Sequence, residues 1–295
     1  QDAGWKPEPD KHYHSAPARR SVPAHAHAPE RKPNTHDYSE YISKCAVALF
    51  GQSGSAALKY LHDRALTDEV LSKARVGFDE RFFFVHLHKE EPAIILPYNA
   101  EGTYYGARNL ETEKESRAYG KPRIEDAGDE PIFDPLGALT DDSAPALFVC
   151  EGQIDALSIA QCGHAAVAIG GTGAGKLTAA LTQNKPSRPL VYLADNDEPG
   201  IRFAKRVSEE LAALGIRHII RTVPDANFKD ANDYLKAAPE AFAQFLNQCV
   251  EDAQEAPEPE PREQELTFDL SSATAEDFRT RAVYEWIVDS ADEFT

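Results

Sequence analysis

From residue 145 onward, short apolar runs alternate regularly with amphipathic stretches, and this alternation is the strongest constraint on the fold. Strands that alternate with helices are typical of a parallel sheet with helices on both faces. The pattern therefore predicts an α/β fold. The predicted strands are residues 145–150, 165–169, 190–194 and 216–223, and the predicted helices lie within residues 154–162, 177–181 and 201–214.

Acidic residues follow three of the predicted strands. Glu151 comes directly after the first strand, Asp195 and Asp197 come after the third, and Asp230 comes shortly after the fourth. Because the carboxyl ends of parallel strands meet at one edge of the sheet, we expect these side chains to converge where open α/β sheets bind ligands. Clustered carboxylates repel each other and normally need a cation. The spacing predicts a Mg²⁺ or Mn²⁺ site suited to phosphate chemistry.

The acidic segments resemble the motifs of a known domain family. Residues 151–156 read EGQIDA and resemble the acid–glycine motif of Toprim domains. Residues 195–200 read DNDEPG and resemble the Asp-x-Asp motif of those domains. Residues 229–235, KDANDYL, are similar to the third acidic segment of the primase branch. One Asp-x-Asp alone is more commonly a solvated turn, but three motifs in this order identify a Toprim domain, which we place at residues 144–250.

The segment before this domain resembles the entry to the catalytic core of bacterial DnaG-type primases. Two positions depart from the family pattern, because Ala65 stands where glycine is usual and residues 106–108 lack one family glycine. The resemblance implies a smaller α+β primase-core subdomain over residues 38–143, in front of the parallel Toprim sheet. It rests on residues 57–66 (ALKYLHDRAL), 76–78 (VGF), 93–98 (AIILPY) and 106–110 (GARNL).

Primer extension requires a 3′ hydroxyl to attack the α-phosphate of a nucleotide, and two metal ions can assist that step. Asp195 and Asp197, at positions i and i+2 of an extended segment, point to the same face and are the best candidate ligands. Glu151 is either a ligand or the general base, and these three are the expected catalytic residues. Asp230 is the expected ligand of a second metal. Asp155 is a further candidate ligand, whose alternative is a first-turn helix acid stabilised by the helix dipole.

Four basic residues are candidates for contact with the triphosphate or the template phosphates. They are Arg108, Lys229, Arg117 and Lys121, and for the last two a purely solvated role is equally open. Asp233 is expected to cap a helix rather than bind metal. Residues 170–177, GGTGAGKL, nearly match a P-loop, but that loop needs Ser or Thr after its lysine to hold magnesium. Because Leu177 occupies that position, ATP hydrolysis is not expected.

Composition limits the remaining possibilities. The formal net charge of −18 argues against a uniformly basic nucleic-acid surface, so any DNA-binding surface must be local. The four cysteines show no paired spacing, which favours reduced core cysteines over disulfides. The sequence shows neither a membrane-length apolar stretch nor a recognisable signal peptide, so we predict a cytoplasmic protein without membrane contact.

The two ends have linker-like compositions. Residues 1–37 are rich in proline with scattered basic residues and are predicted to be a disordered linker. Residues 251–265 form a predicted acidic Pro/Glu linker, and residues 266–295 a predicted C-terminal helix or the start of a truncated domain. The zinc module that precedes the DnaG-type core has no matching Cys/His set in this sequence.

The resemblance implies a DNA primase-type nucleotidyltransferase from a mobile element or phage. Such an enzyme would make primers on a single-stranded DNA template from nucleoside triphosphates, with a replicative helicase as a candidate partner. Two alternatives stay open. A Toprim nuclease or topoisomerase uses the same acids to cleave DNA, and a non-catalytic replisome module would use the fold only for interaction.

Overall fold

The computed structural model describes residues 33–122, 128–170 and 174–258. Its first part has helices followed by an antiparallel sheet, which is the predicted α+β arrangement. The helices are α1 (Ser39–Leu49), α2 (Ser55–His62) and α3 (Asp68–Lys73). The strands, in sheet order, are β1 (Gly77–Phe84), β2 (Lys89–Pro97), β3 (Tyr105–Asn109) and β4 (Tyr119–Gly120).

The second part is built on a parallel sheet with strand order β6-β5-β7-β8, and it confirms the predicted α/β fold. Its strands are β5 (Leu147–Cys150), β6 (Ala165–Ala168), β7 (Leu190–Ala194) and β8 (His218–Thr222). Its helices are α4 (Gln153–Ala160), α5 (Ala174–Gln183), α6 (Glu198–Ala213), α7 (Ala231–Ala237) and α8 (Pro239–Glu255).

Helices cover both faces of the parallel sheet. Phe148 and Val191 belong to the core that includes α4, α7 and α8, whereas Val149 and Tyr192 pack with α5 and α6. Every residue of β5 and β7 is buried, as expected for central strands covered on both faces. The near-continuous apolar runs seen in the sequence therefore reflect two-sided burial.

The two sheets share one apolar core. Val76 and Ile94 from the antiparallel part lie in the same buried cluster as Phe148 and Leu157 from the parallel part. Apolar burial is the main favourable term in folding, so this cluster holds the antiparallel part of the chain against the parallel part. The arrangement brings β3 and the carboxyl edge of the parallel sheet to the same cavity.

Several boundaries differ from the sequence prediction. Helix α6 begins at Glu198 rather than at residue 201, because Asp197 caps it and Pro199 fits its first turn. Helix α8 continues to Glu255, into the linker predicted at residues 251–265, because Ala253 extends its buried face. Of the predicted linkers and C-terminal segment, residues 1–32 and 259–295 lie outside the described residues.

All four cysteines are unpaired, and Cys45, Cys150 and Cys249 are buried, as predicted. Among the described helices, none has the length and apolar character needed to cross a lipid bilayer.

Candidate active site

The structure brings the predicted site residues together around one cavity of about 550 Å³. Asp197 lies beside this cavity, joined to it through Lys229. The acidic wall comes from the carboxyl edge of the parallel sheet and the basic wall from the antiparallel part. Of the predicted residues, Glu151, Asp155, Asp195, Lys229, Asp230, Arg108, Arg117 and Lys121 line the cavity.

Asp195 and Asp197 meet at one cation, the ammonium of Lys229. The Nζ atom of Lys229 lies 2.6 Å from Oδ2 of Asp195 and 3.4 Å from Oδ2 of Asp197. This common contact agrees with the expectation that both carboxylates face the same side. In this structure Lys229 neutralises the acidic pair, and its contact with phosphate stays a prediction.

Glu151 follows β5 and has an incompletely satisfied carboxylate. Its Oε1 atom is buried and makes no hydrogen bond within the described residues. Burial, followed by repulsion from Asp195 and Asp197, raises the pKa of Glu151 above its ordinary value. The site therefore holds a half-buried acid whose negative charge is only partly compensated.

Asp155 and Asp230 form a second acidic pair, deeper than the first. Burial raises the pKa of both carboxyls, and each is raised further by the other or by neighbouring acids. Asp155 accepts a hydrogen bond from the backbone N–H of Asn232 at 3.0 Å. A Cβ atom at Gly152 would overlap the Asp155 carboxylate, so the glycine makes room for this acid.

Two of the candidate ligands also cap helices. Asp197 accepts a hydrogen bond from the backbone N–H of Gly200 at 2.8 Å at the start of α6. Asp230 accepts one from the N–H of Asp233 at 2.9 Å at the start of α7. The prediction that Asp233 is the capping residue was therefore wrong, because the chain turns helical immediately after Asp230 and leaves Asp233 in the first turn.

Within the described ranges, no three His, Cys, Asp or Glu side chains are grouped closely enough to hold a metal ion without rearrangement. Instead, the ammonium of Lys229 contacts Asp195 and Asp197, and the carboxylates of Asp197 and Asp230 accept capping hydrogen bonds from helix N–H groups. The roles of Glu151, Asp155, Asp195, Asp197 and Asp230 as ligands stay predictions.

The basic wall is organised around a buried arginine. Arg108, on β3, is only 7% exposed, and its Nε and Nη2 atoms have no hydrogen-bond partner within the described residues. Its guanidinium lies 5.3 Å from the ring centroid of Tyr60, and the guanidinium of Arg64 lies 5.4 Å from the same ring. Both arginines line the cavity, so positive charge is concentrated opposite the acids.

Sequence reasoning missed Arg64, Tyr60 and Asn232. The side-chain amide of Asn232 donates to the carbonyl oxygen of Arg64 at 2.8 Å, and so ties the loop after α2 to α7. Arg64 and Tyr60 do lie within residues 57–66, which carried part of the family resemblance. That resemblance was the available signal, but it did not indicate which side chains would face the cavity.

The lysine of the P-loop-like segment has a structural partner. Nζ of Lys176 lies 2.7 Å from Oε1 of Glu130, and Tyr98 donates a hydrogen bond to the same carboxylate oxygen at 3.1 Å. Residues 171–173 lie outside the described residues. The lysine is thus engaged in a contact between the two parts of the chain, and the absence of ATP hydrolysis stays a prediction.

Comparison with known proteins supports the same fold. A family profile described as Toprim-like matches residues 148–235, whereas no curated protein sequence matches significantly. The RNA polymerase domain of Mycobacterium tuberculosis primase DnaG is similar, with a TM-score of 0.56 and 19% identity over 73% of this chain and 83% of that chain. A DNA primase domain from Pseudomonas aeruginosa gives a TM-score of 0.55 and 19% identity over 72% of this chain and 77% of that chain.

A DnaG primase catalytic domain bound to single-stranded DNA gives a TM-score of 0.53 and 18% identity, over 70% of this chain and 78% of that chain. The chain therefore contains a Toprim-like domain and has the fold of DnaG-type primase catalytic cores, as the sequence motifs predicted.

Proposed function

We propose that this chain is a DNA primase-type nucleotidyltransferase that makes primers on single-stranded DNA in a metal-dependent reaction. The observation that carries the proposal is one cavity with Toprim carboxylates on one wall and, on the other, a buried arginine whose Nε and Nη2 atoms lack hydrogen-bond partners among the described residues. Carboxylates suit divalent cations, and arginine forks suit phosphates. The similarity to a DnaG catalytic domain bound to single-stranded DNA supports the choice of template.

The acidic residues suit divalent cations by their chemistry, and their side chains would have to rearrange to hold one. Glu151 has a buried oxygen without a hydrogen-bond partner among the described residues, and burial followed by repulsion from neighbouring acids raises the pKa of Glu151, Asp155 and Asp230. The residues that would hold Mg²⁺ or Mn²⁺ are Glu151, Asp195, Asp197 and Asp230, with Asp155 behind them. When bound, the metal would supply charge neutralisation at the attacking hydroxyl and at the pyrophosphate leaving group.

The protein's own groups would orient the reactants. The 3′ hydroxyl of the primer attacks the α-phosphate of the incoming nucleotide, and pyrophosphate leaves. Arg108 offers Nε and Nη2 to phosphate oxygens, and Arg117 and Lys121 extend the same basic wall toward the template. Glu151 is either a ligand of the metal or the base that accepts the proton of the hydroxyl.

A primer-synthesis assay tests the proposal. The purified chain is mixed with single-stranded DNA, nucleoside triphosphates and Mg²⁺ or Mn²⁺, and products are resolved on a denaturing gel. We expect short primers from the wild type and none from Glu151→Gln, which retains the shape but loses the charge. Degradation of the template without primers would favour a Toprim nuclease, and neither activity would favour a replisome module.

The mobile-element or phage source, the helicase partner and the cytoplasmic location stay predictions. The preference between ribonucleotides and deoxyribonucleotides can be read from the same assay by supplying each set separately.

A further inference from the structure

The ammonium of Lys229 lies between the carboxylates of Asp195 and Asp197, which are proposed ligands of a divalent cation. Its Nζ atom is 2.6 Å from Oδ2 of Asp195 and 3.4 Å from Oδ2 of Asp197. An ammonium and a metal ion that use the same oxygen atoms compete for them. The contact therefore bears directly on how a metal ion would enter the site.

The backbone at Lys229 is held in place independently of its ammonium. The N–H of Asn196 donates to the carbonyl oxygen of Lys229 at 2.6 Å. The side-chain amide of Asn196 donates to the carbonyl oxygens of Asp225 and Phe228, each at 3.3 Å. Asn196 stands between the two acids in the sequence, so the loop before α7 stays attached to the Asp-x-Asp segment when the ammonium moves.

The side chain of Lys229 has solvent beside it into which it can move. It is 54% exposed, whereas the side chain of its main partner Asp195 is 17% exposed. A lysine has a flexible four-carbon stem, so its ammonium can leave the acids without displacing the anchored backbone. Lys229 also lines the cavity that contains Arg108, so the released ammonium stays beside the basic wall.

We infer that Lys229 is a built-in counter-cation, which holds Asp195 and Asp197 together in the metal-free protein and is displaced when a divalent cation binds. The inference rests on the proposed function, because it requires those two acids to be metal ligands. The displaced ammonium then contacts the phosphates of a nucleoside triphosphate in the same cavity. One side chain thus couples metal binding to nucleotide binding.

Manganese binding to the full chain, measured by electron paramagnetic resonance of unbound Mn²⁺, tests the competition. Lys229→Met removes the competing charge, so we expect Mn²⁺ to bind roughly threefold more tightly or better, as for loss of one partly exposed ion pair. The matched control is Lys205→Met, which removes an exposed lysine of α6 outside the cavity and should alter affinity less than about twofold. Unchanged or weaker Mn²⁺ binding in Lys229→Met would overturn the inference.

A second measurement follows the ammonium of Lys229 in the wild-type protein. The ammonium ¹⁵N–¹H signals of the wild-type protein report hydrogen bonding at each lysine, and Lys229→Met identifies the signal of Lys229. Addition of diamagnetic Mg²⁺ should shift the Lys229 signal toward that of a solvated lysine, and a subsequent addition of nucleoside triphosphate should shift it again. A Lys229 signal that is unchanged by saturating Mg²⁺ would show that the ammonium is not displaced.

The failure of this inference is distinguishable from failure of the proposed function. If a variant with Asp195→Ala and Asp197→Ser binds Mn²⁺ as the wild type does, the metal site itself is misplaced. If that variant loses Mn²⁺ but Lys229→Met binds it no more tightly than the wild type, only the role of Lys229 is wrong.

Discussion

The carboxylate of Asp155 accepts a 3.0 Å hydrogen bond from the backbone N–H of Asn232, joining the helices that follow the first and third acidic segments. Asn232 is itself buried, and its side chain donates to the hydroxyl of Ser158 and to the carbonyl oxygen of Arg64. These hydrogen bonds therefore tie α4, α7 and the loop after α2 together. Because Asp155 is a buried acid, its charge affects the stability of the fold as well as the chemistry of the cavity.

Asp155→Asn should stabilise the metal-free protein at neutral pH. Burial, and then the nearby Asp230, raise the pKa of Asp155, so the folded state binds a proton more tightly than the unfolded state does. The free energy of unfolding therefore falls as the pH rises from the unfolded pKa of about 4 through the folded pKa. Asparagine keeps an acceptor for Asn232 and removes the charge, so at pH 7 we expect a gain of about 1 kcal/mol or more.

Urea unfolding in EDTA across a pH series measures this effect. The difference between Asp155→Asn and wild type should shrink toward a constant, pH-independent value as the pH falls below about 4, where the wild-type carboxyl is protonated in both states. With saturating Mg²⁺ the order should reverse if Asp155 is a ligand, because a metal that binds the folded state stabilises it by mass action. A difference independent of pH would contradict the assignment of uncompensated charge to this acid.

Asp197 allows the capping and metal-binding roles of one carboxylate to be separated. Asp197→Ala should destabilise the fold by about 0.5–2 kcal/mol, because the cap on the N–H of Gly200 is lost. Asp197→Ser keeps an acceptor at the cap and should cost little. Both variants should lose affinity for Mn²⁺, as measured by isothermal titration calorimetry. Wild-type affinity in Asp197→Ser would show that this acid serves only to start α6.

The sequence identified the acidic edge because the geometry of parallel strands leaves little freedom. Once residues 147–150 and 190–194 are adjacent parallel strands, Glu151 and Asp195 must leave the sheet at the same edge. The capping residue was harder to locate, because Asp230 and Asp233 lie three residues apart and either can stand at a helix start.

The contacts across the cavity could not be predicted from spacing. The ion pair between Lys229 and Asp195 joins residues 34 positions apart, and the approach of Arg64 and Arg108 to one tyrosine ring depends on how two separate elements pack. Such contacts depend on how the elements pack around the shared apolar core. No local pattern in the sequence reveals that packing.

Lys176→Ala should leave nucleotide chemistry almost unchanged. The ammonium of Lys176 pairs with Glu130, and Leu177 cannot hold magnesium as the Ser or Thr of a P-loop does. We expect primer synthesis within about threefold of wild type and a loss of stability of about 0.2–1 kcal/mol, typical of a partly exposed ion pair. An ATPase activity in the wild type that disappears in Lys176→Ala would show that residues 170–177 do act as a P-loop.

Ala65→Gly should stabilise the protein, although glycine is usually destabilising. Ala65 has a φ of 57°, a left-handed conformation that is about 1–2 kcal/mol unfavourable for residues with a Cβ atom. Glycine removes that cost but adds about 0.5–1 kcal/mol of unfolded-state entropy, so a net gain of up to about 1 kcal/mol is expected. Thermal and urea unfolding give the measurement.

The matched control for that substitution is Ala56→Gly, at an exposed position in α2. There the backbone is helical and glycine should cost about 0.5–1 kcal/mol. Destabilisation of equal size at both positions would contradict the proposed strain at Ala65.

Arg108→Ala should reduce primer synthesis far more than it reduces Mn²⁺ binding. The guanidinium is buried on the wall that belongs to the antiparallel sheet, and its Nε and Nη2 atoms have no hydrogen-bond partner within the described residues. Its loss should therefore remove a phosphate contact and leave the acidic residues in place. If Arg108 neutralises a phosphate of the template, the plot of log affinity for single-stranded DNA against log salt concentration should be less steep for Arg108→Ala. The magnitude of its slope should fall by about 0.7, because one counterion fewer is released. Fluorescence anisotropy at several salt concentrations measures that slope.

Two variants show whether the effect comes from the fork of Arg108 or from charge alone. Arg108→Lys keeps the charge but cannot make a bidentate contact, so it should restore the salt slope while leaving synthesis impaired. Arg202→Ala removes an exposed arginine of α6 that pairs with Glu198 outside the cavity, and it should change neither quantity. Equal losses of DNA binding from Arg202→Ala and Arg108→Ala would mean that overall charge, rather than a phosphate site on β3, governs binding. Full primer synthesis by Arg108→Lys would mean that the positive charge at this position suffices without a bidentate contact.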